Sequence, residues 1–281
     1  MTRPQILMCP PDHYGIEYEI NAWMDTTRQV DHERAVGQWN DLHRILADVG
    51  ADIVLLTPES GLPDLVFTAN AALIFENRAI LANFRHAQRQ RERPVVEQWF
   101  RAAGYHVETL PEEFHFEEAG DALFCGDTLY AGYRIRSDAR GHQEVSARVE
   151  HRVIPLALVD EYFYHLDACF CPLSADQAIY YPGAFDDYGC RALREHVPEL
   201  IPVDREEAHQ FACNAVVAGR TVVTNTGCRR FHEILRELGY LPVETPLDEF
   251  VKAGGSAKCL TLRLDGEDAA GWAGVQRVTN A

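Results

Sequence analysis

A thiol, an imidazole and several carboxylates stand in this chain where they could hold and attack a flat cation. Cys259 follows KAGGSAK, whose Gly-Gly pair lets a ligand approach the backbone closely. His165 lies two residues before Asp167 in YFYHLDACF, which on a strand puts both side chains on one face as an acid-base candidate. The run FEEAGDALF offers Glu117, Glu118 and Asp121, carboxylates whose burial demands a cation or hydrogen bonds. LPDLVFTANAAL adds Asp64 and Asn70, again at even spacing and so on one strand face. Carboxylates grip a guanidinium through paired, charge-assisted hydrogen bonds, and a thiolate beside it can add to the central carbon. The cation in turn favours the thiolate, because a nearby positive charge lowers a cysteine pKa.

Each residue also has an ordinary structural reading: a lone cysteine or histidine on a strand is usually core, and Asp64 after Pro63 suits a turn. Repetition raises the chemical reading. Polar residues open apolar strands at Asn70, Asp121, Asp167, Asn214 and, in a truncated last copy, Cys259 opens CLTLRLD, at intervals of ~45–50 residues. Apolar run, short turn, second apolar run is a hairpin signature. PVVEQWFRAAGYHVETLP and FHEILRELGYLPVETPL each continue as an amphipathic helix, a Gly-containing stop and an edge strand. Residues 31–49 carry a helical apolar pattern ending at Gly50, between the strands QILMCPP and DIVLLTP, and 138–149 supplies a shortened helix. The chain therefore reads as α/β, a ring of five hairpin-helix-strand units whose polar openers face one axis, in a single domain over 1–281.

A net charge of −17 on 281 residues argues against binding a phosphate backbone and favours a cationic ligand. The opening MTRPQILMCPPDHYGIEYEIN has no long apolar stretch, and no later run approaches a membrane span, so a cytoplasmic protein is expected. Eight cysteines without a CxxC pair read as buried free thiols, with no metal site.

The combination PD…FT.N, EAGD, HLD and a late Cys after Gly-Gly resembles, over nearly the whole chain, the guanidine-modifying (pentein) superfamily of arginine deiminases, dimethylarginine dimethylaminohydrolases and amidinotransferases. The resemblance implies a five-bladed α/β propeller, a covalent cysteine intermediate and no cofactor. Position by position, Cys259 resembles the nucleophile and His165 the general acid and base. Glu118, three residues before Asp121 as in the family's E-x-G-D pattern, resembles the substrate-holding carboxylate, a role that a one-residue slip hands to Glu117. Asp64 and Asp167 match guanidinium-binding carboxylates, and Arg89 and Arg136 match arginines for the substrate α-carboxylate.

Deiminases commonly carry an acid where FTANAA has Asn70. The arginine dihydrolase branch is similar at MCPP, at a following loop asparagine (Asn21), and at FTANA, FYHLD.CFCPL, FACNAV and KAGG.AKCLTLR. That likeness implies conversion of arginine to ornithine, carbon dioxide and two ammonia. A citrulline-forming hydrolase of arginine or methylated arginine is the alternative, and a ribosome-binding propeller without catalysis is the distant one. The implied partner is a small cationic substrate, without nucleic acid or membrane, and a homo-oligomer is left open.

Overall fold

The computed structural model describes residues 3–266. Among them the strands form five three-stranded sheets of one design. In the first complete unit Ala72–Phe75 and Arg78–Leu81 make an antiparallel hairpin, helix Arg93–Ala102 crosses over, and His106–Thr109 pairs parallel to the second hairpin strand. A parallel pair needs such a crossover because a tight turn cannot reverse the chain twice. The next units repeat it with Ala122–Cys125, Thr128–Tyr133 and Arg152–Ala157, then Phe170–Pro172, Gln177–Tyr180 and Glu199–Pro202, then Val216–Ala218, Thr221–Asn225 and Leu241–Thr245. Helix Ala139–Val149 is the crossover expected over 138–149.

The remaining sheet joins the two ends of the described chain. Gln5–Met8 is its middle strand, parallel to Asp52–Leu55 and antiparallel to Leu262–Arg263, so its hairpin is assembled from segments more than 250 residues apart. Its crossover helix, His32–Asp48, begins at Asp31, whose side chain accepts a hydrogen bond from the Arg34 amide, and it is followed by Gly50 at φ 95°. Ala35, Trp39, Leu42 and Leu46 lie on its buried stripe and pack in one cluster with Ile6, Met8, Cys259 and Leu260. Burying one such leucine stabilises the fold by about 1.5–3 kcal/mol.

The structure corrects the local geometry of the openers. Asp64 and Asn70 lie on two successive 3-10 turns, Pro63–Val66 and Thr68–Asn70, and Asp167 on a third, Leu166–Ala168. A spacing of six satisfies a period of three as well as one of two, so the sequence pattern cannot separate a 3-10 face from a strand face. Cys259 likewise sits in a turn ahead of its strand. All eight cysteines are buried free thiols.

Because Ile6 is fully buried opposite Arg263, an Ile6→Ala variant loses about 2–4 kcal/mol of stability. Urea unfolding measures this, and an unchanged midpoint contradicts the central place given to the end-joining sheet.

Candidate active site

The turns ahead of the first strands converge. Asp64 and Asn70 on the two 3-10 turns, and Phe67 between them, line a small cavity together with Arg89, Arg136, Tyr164 and Cys259. The loop over it contributes Ile20, Asn21 and Met24.

Cys259 is fixed by Asn214, the opener of the preceding unit. Its backbone N–H donates to Asn214 Oδ1 at 3.1 Å, and Asn214 Nδ2 donates to the sulfur at 3.1 Å. The thiol itself donates to Asp167 Oδ2 at 3.4 Å. Burial, then the Asp167 charge, push this thiol well above its ordinary pKa of 9.0, against the lowering effect of the Asn214 amide. The sulfur therefore rests protonated until a cation arrives.

His165 donates through Nε2 to Glu117 Oε2 at 2.8 Å, and the same oxygen accepts from Arg136 at 2.8 Å. Burial opposes ionisation of Glu117, yet Arg136 and the imidazole outweigh it and hold the carboxyl well below the usual range. Burial pushes His165 down to about 4 despite that carboxylate. The pair rests as carboxylate and neutral imidazole. A carboxylate only accepts, so the ring hydrogen sits on Nε2 and Nδ1 keeps its lone pair as a base.

Asp121 sets both partners. Its Oδ1 accepts from the Leu166 amide at 3.0 Å, next to His165, and its Oδ2 accepts from Ser137 at 2.6 Å, whose hydroxyl takes the Glu117 amide at 2.9 Å. Gly120 is required between them: a Cβ there would meet Asn70 Nδ2 at 2.3 Å and His165 Nδ1 at 3.4 Å.

The structure brings Cys259, His165, Glu117, Asp64, Asn70, Asp167, Arg89 and Arg136 into one buried cluster, though not each in its expected contact. Glu117 is the carboxylate on the imidazole, while the side chain of Glu118 lies outside the described residues. Both arginines line the cavity and also bind the protein: Arg136 donates to the Ile20 carbonyl at 2.9 Å and lies over the Tyr164 ring, and Arg89 is clamped by Glu92. Asn21 is a turn residue, accepting from Trp23 and Met24 amides and donating to the Ala253 carbonyl, and so ties the covering loop to the Gly-Gly segment. Those glycines are crowded by aromatic rings of the protein, and Gly255 also lines the cavity: added Cβ atoms would meet Phe67 at 2.4 Å and Tyr164 and Trp23 at 2.9 Å. Asp64 accepts from Tyr18 at 3.0 Å through Oδ2, and its buried Oδ1 has no partner among the described residues.

Sequence reasoning missed three residues as site residues. Asn214 was visible as an opener and could have been promoted by register; Asp121 stood in the quoted motif; Glu92, in RERP, carries no pattern at all.

Five small sheets and a buried thiol, imidazole and carboxylate set define an α/β protein of the guanidine-modifying kind. The chain belongs to the dimethylarginine dimethylaminohydrolase family: residues 11–264 match the family described as N,N dimethylarginine dimethylhydrolase, eukaryotic. It is 46% identical, over 92% of its length, to the bifunctional arginine dihydrolase/ornithine cyclodeaminase ArgZ of Synechocystis, but spans only 37% of that protein. It is 38% identical to the N(G),N(G)-dimethylarginine dimethylaminohydrolase of Mycobacterium tuberculosis, covering 92% of this chain and 84% of the relative. A crystal structure of the ArgZ N-terminal domain, a cysteine-to-serine variant bound to substrate, superposes with a TM-score of 0.91 at 44% identity, over 94% of this chain and 98% of that one.

With no cation present, alkylation of Cys259 by iodoacetamide is slow at pH 7 and accelerates only above about pH 9, and a guanidinium-bearing ligand shifts that profile to lower pH unless it occludes the thiol. An Asn214→Ala variant moves the ligand-free profile further upward, since the amide donor that stabilises the thiolate is gone. A Cys259 profile centred below pH 8 in the free protein contradicts the assignment.

Proposed function

We propose that the chain is an arginine dihydrolase, a cysteine-dependent hydrolase converting arginine to ornithine, carbon dioxide and two ammonia. The observation that carries this reading is the state of Asn70. Arg89 donates to its Oδ1 at 2.8 Å, so its amide nitrogen is left for the cavity, without a partner among the described residues. A guanidinium offers only donors, so the Asn70 nitrogen cannot bind one. An oxygen added to the reacting carbon is what such a nitrogen can bind. The similarity to the ArgZ domain supports the same reading.

In this reading Asp64 and Asp167 hold the guanidinium, and its charge promotes transfer of the Cys259 proton to His165 Nδ1. The thiolate adds to the central carbon, and the imidazolium returns its proton to the departing ammonia, which leaves an amidino thioether on the sulfur. His165, kept in its tautomer by Glu117, then takes a proton from water as the water oxygen bonds to the carbon. Loss of the second ammonia leaves a thiocarbamate still on Cys259. A second water displaces the thiolate, and the carbamate formed breaks down to ornithine and carbon dioxide.

The wider reading has the five sheets closing as a five-bladed α/β propeller, with 1–281 as one catalytic domain acting in the cytoplasm on a small cationic substrate. No helix among the described residues is long and apolar enough to cross a membrane.

Incubated with arginine, the purified protein releases two ammonia and one ornithine per arginine consumed, and Cys259→Ala slows turnover by at least ~10³-fold. Asn70→Asp raises the share of citrulline, because a carboxylate can hold the nitrogen that must leave. One ammonia with stoichiometric citrulline favours instead an arginine deiminase, and a methylamine with citrulline from a methylated arginine favours the activity named for the Mycobacterium tuberculosis relative.

A further inference from the structure

Arg89 is buried and makes more hydrogen bonds to the protein than a substrate-facing arginine would need. Its Nε and one terminal nitrogen bind the two oxygens of Glu92, each at 2.8 Å, and its other terminal nitrogen binds Asn70 Oδ1 at 2.8 Å. Glu92 is itself buried, at 3% exposure.

This chain of contacts decides the polarity of one amide. Arginine has only donors, so the asparagine must turn its oxygen to Arg89 and its nitrogen away. That nitrogen lies over Gly120, beside the Nδ1 edge of His165, buried and without a partner among the described residues. An acid competes for the same arginine: Asp64 Oδ2 stands 3.9 Å from Arg89 Nε. Without the Glu92 clamp, Arg89 keeps its hydrogen bond to the Asp64 carbonyl, at 3.2 Å, and is free to turn from the amide toward the Asp64 carboxylate.

We infer that Glu92 is a positioning residue which, through Arg89, aims the Asn70 amide nitrogen at the oxygen acquired by the reacting carbon and so sets whether ornithine or citrulline is released. This rests on the dihydrolase reading. When water adds to the amidino carbon, His165 takes its proton and the oxygen settles against the Asn70 nitrogen. The nitrogen of the adduct is then the group left to face the imidazolium, takes the proton, and departs as ammonia with the C–S bond intact. An amide free to turn holds the oxygen less well, and the thiolate departs first, giving citrulline.

Burial raises the Glu92 carboxyl to about 7 even with Arg89 pulling it down, so the clamp weakens as pH falls below neutral.

The test is product analysis of the full chain with arginine, quantifying ornithine and citrulline. In Glu92→Gln, the ratio of citrulline to ornithine rises at least tenfold and ornithine release slows about tenfold. In an Asn70→Ala background the Glu92→Gln change leaves the ratio where Asn70→Ala alone puts it, since nothing remains to orient. A purely structural Glu92 lowers both products together, leaving the ratio unchanged, and overturns the inference while the dihydrolase reading stands. An additive effect in the double variant does the same. Citrulline alone from the unaltered chain overturns both. Should Glu92→Gln yield no folded protein, Glu92→Asp, which keeps the charge and shortens its reach, is read by the same ratio.

Discussion

One carboxylate oxygen, Oε2 of Glu117, holds the reacting groups in register. It takes hydrogen bonds from the His165 ring and from Arg136 at once, and neither could be buried there alone. An unpaired carboxylate at this depth would take up a proton, and a protonated acid would no longer dictate the imidazole tautomer. Arg136 supplies the compensating charge, and its other donor is spent on the Ile20 carbonyl, so the loop above the cavity is tied to the same charge balance. Chemistry at the sulfur, order in the covering loop and the protonation of the ring thus share one electrostatic origin.

The same economy recurs at the second arginine. Arg89 and Glu92 neutralise one another in the interior, and the pair can therefore be used as a fixed ruler for a neighbouring amide. Buried ion pairs contribute little net stability, because desolvation cancels most of their attraction. Their retention here makes sense as control over geometry. Asp64 shows the converse: with burial raising its carboxyl and one oxygen unpartnered among the described residues, it gains most from an incoming cation.

Much of this was legible in the residues. The repeated hairpin, helix and strand pattern named the elements, and the polar openers Asn70, Asp121, Asp167, Asn214 and Cys259 all lie beside the site or in it. What failed was local geometry. A spacing of six between Asp64 and Asn70 fits two different periodicities, and only backbone hydrogen bonds distinguish them. Of the adjacent pair, the motif pointed to Glu118, whereas Glu117 carries the contact, since the choice depends on which side chain reaches a histidine 48 residues later. Glu92 was invisible because its meaning lies in a partner, Arg89, whose own reading was a substrate contact. Gly254 and Gly255 were flagged correctly as a close approach: aromatic rings from distant loops crowd both, and Gly255 also lines the cavity.

The sheet that joins the two ends of the described chain has a temporal consequence. The turn bearing Cys259 is followed by a strand whose partner, Gln5–Met8, lies more than 250 residues away along the chain. Closing so long a loop is the slowest kind of contact for a chain to make. The turn that carries the nucleophile therefore gains its strand partner only once the intervening units bring two distant segments together.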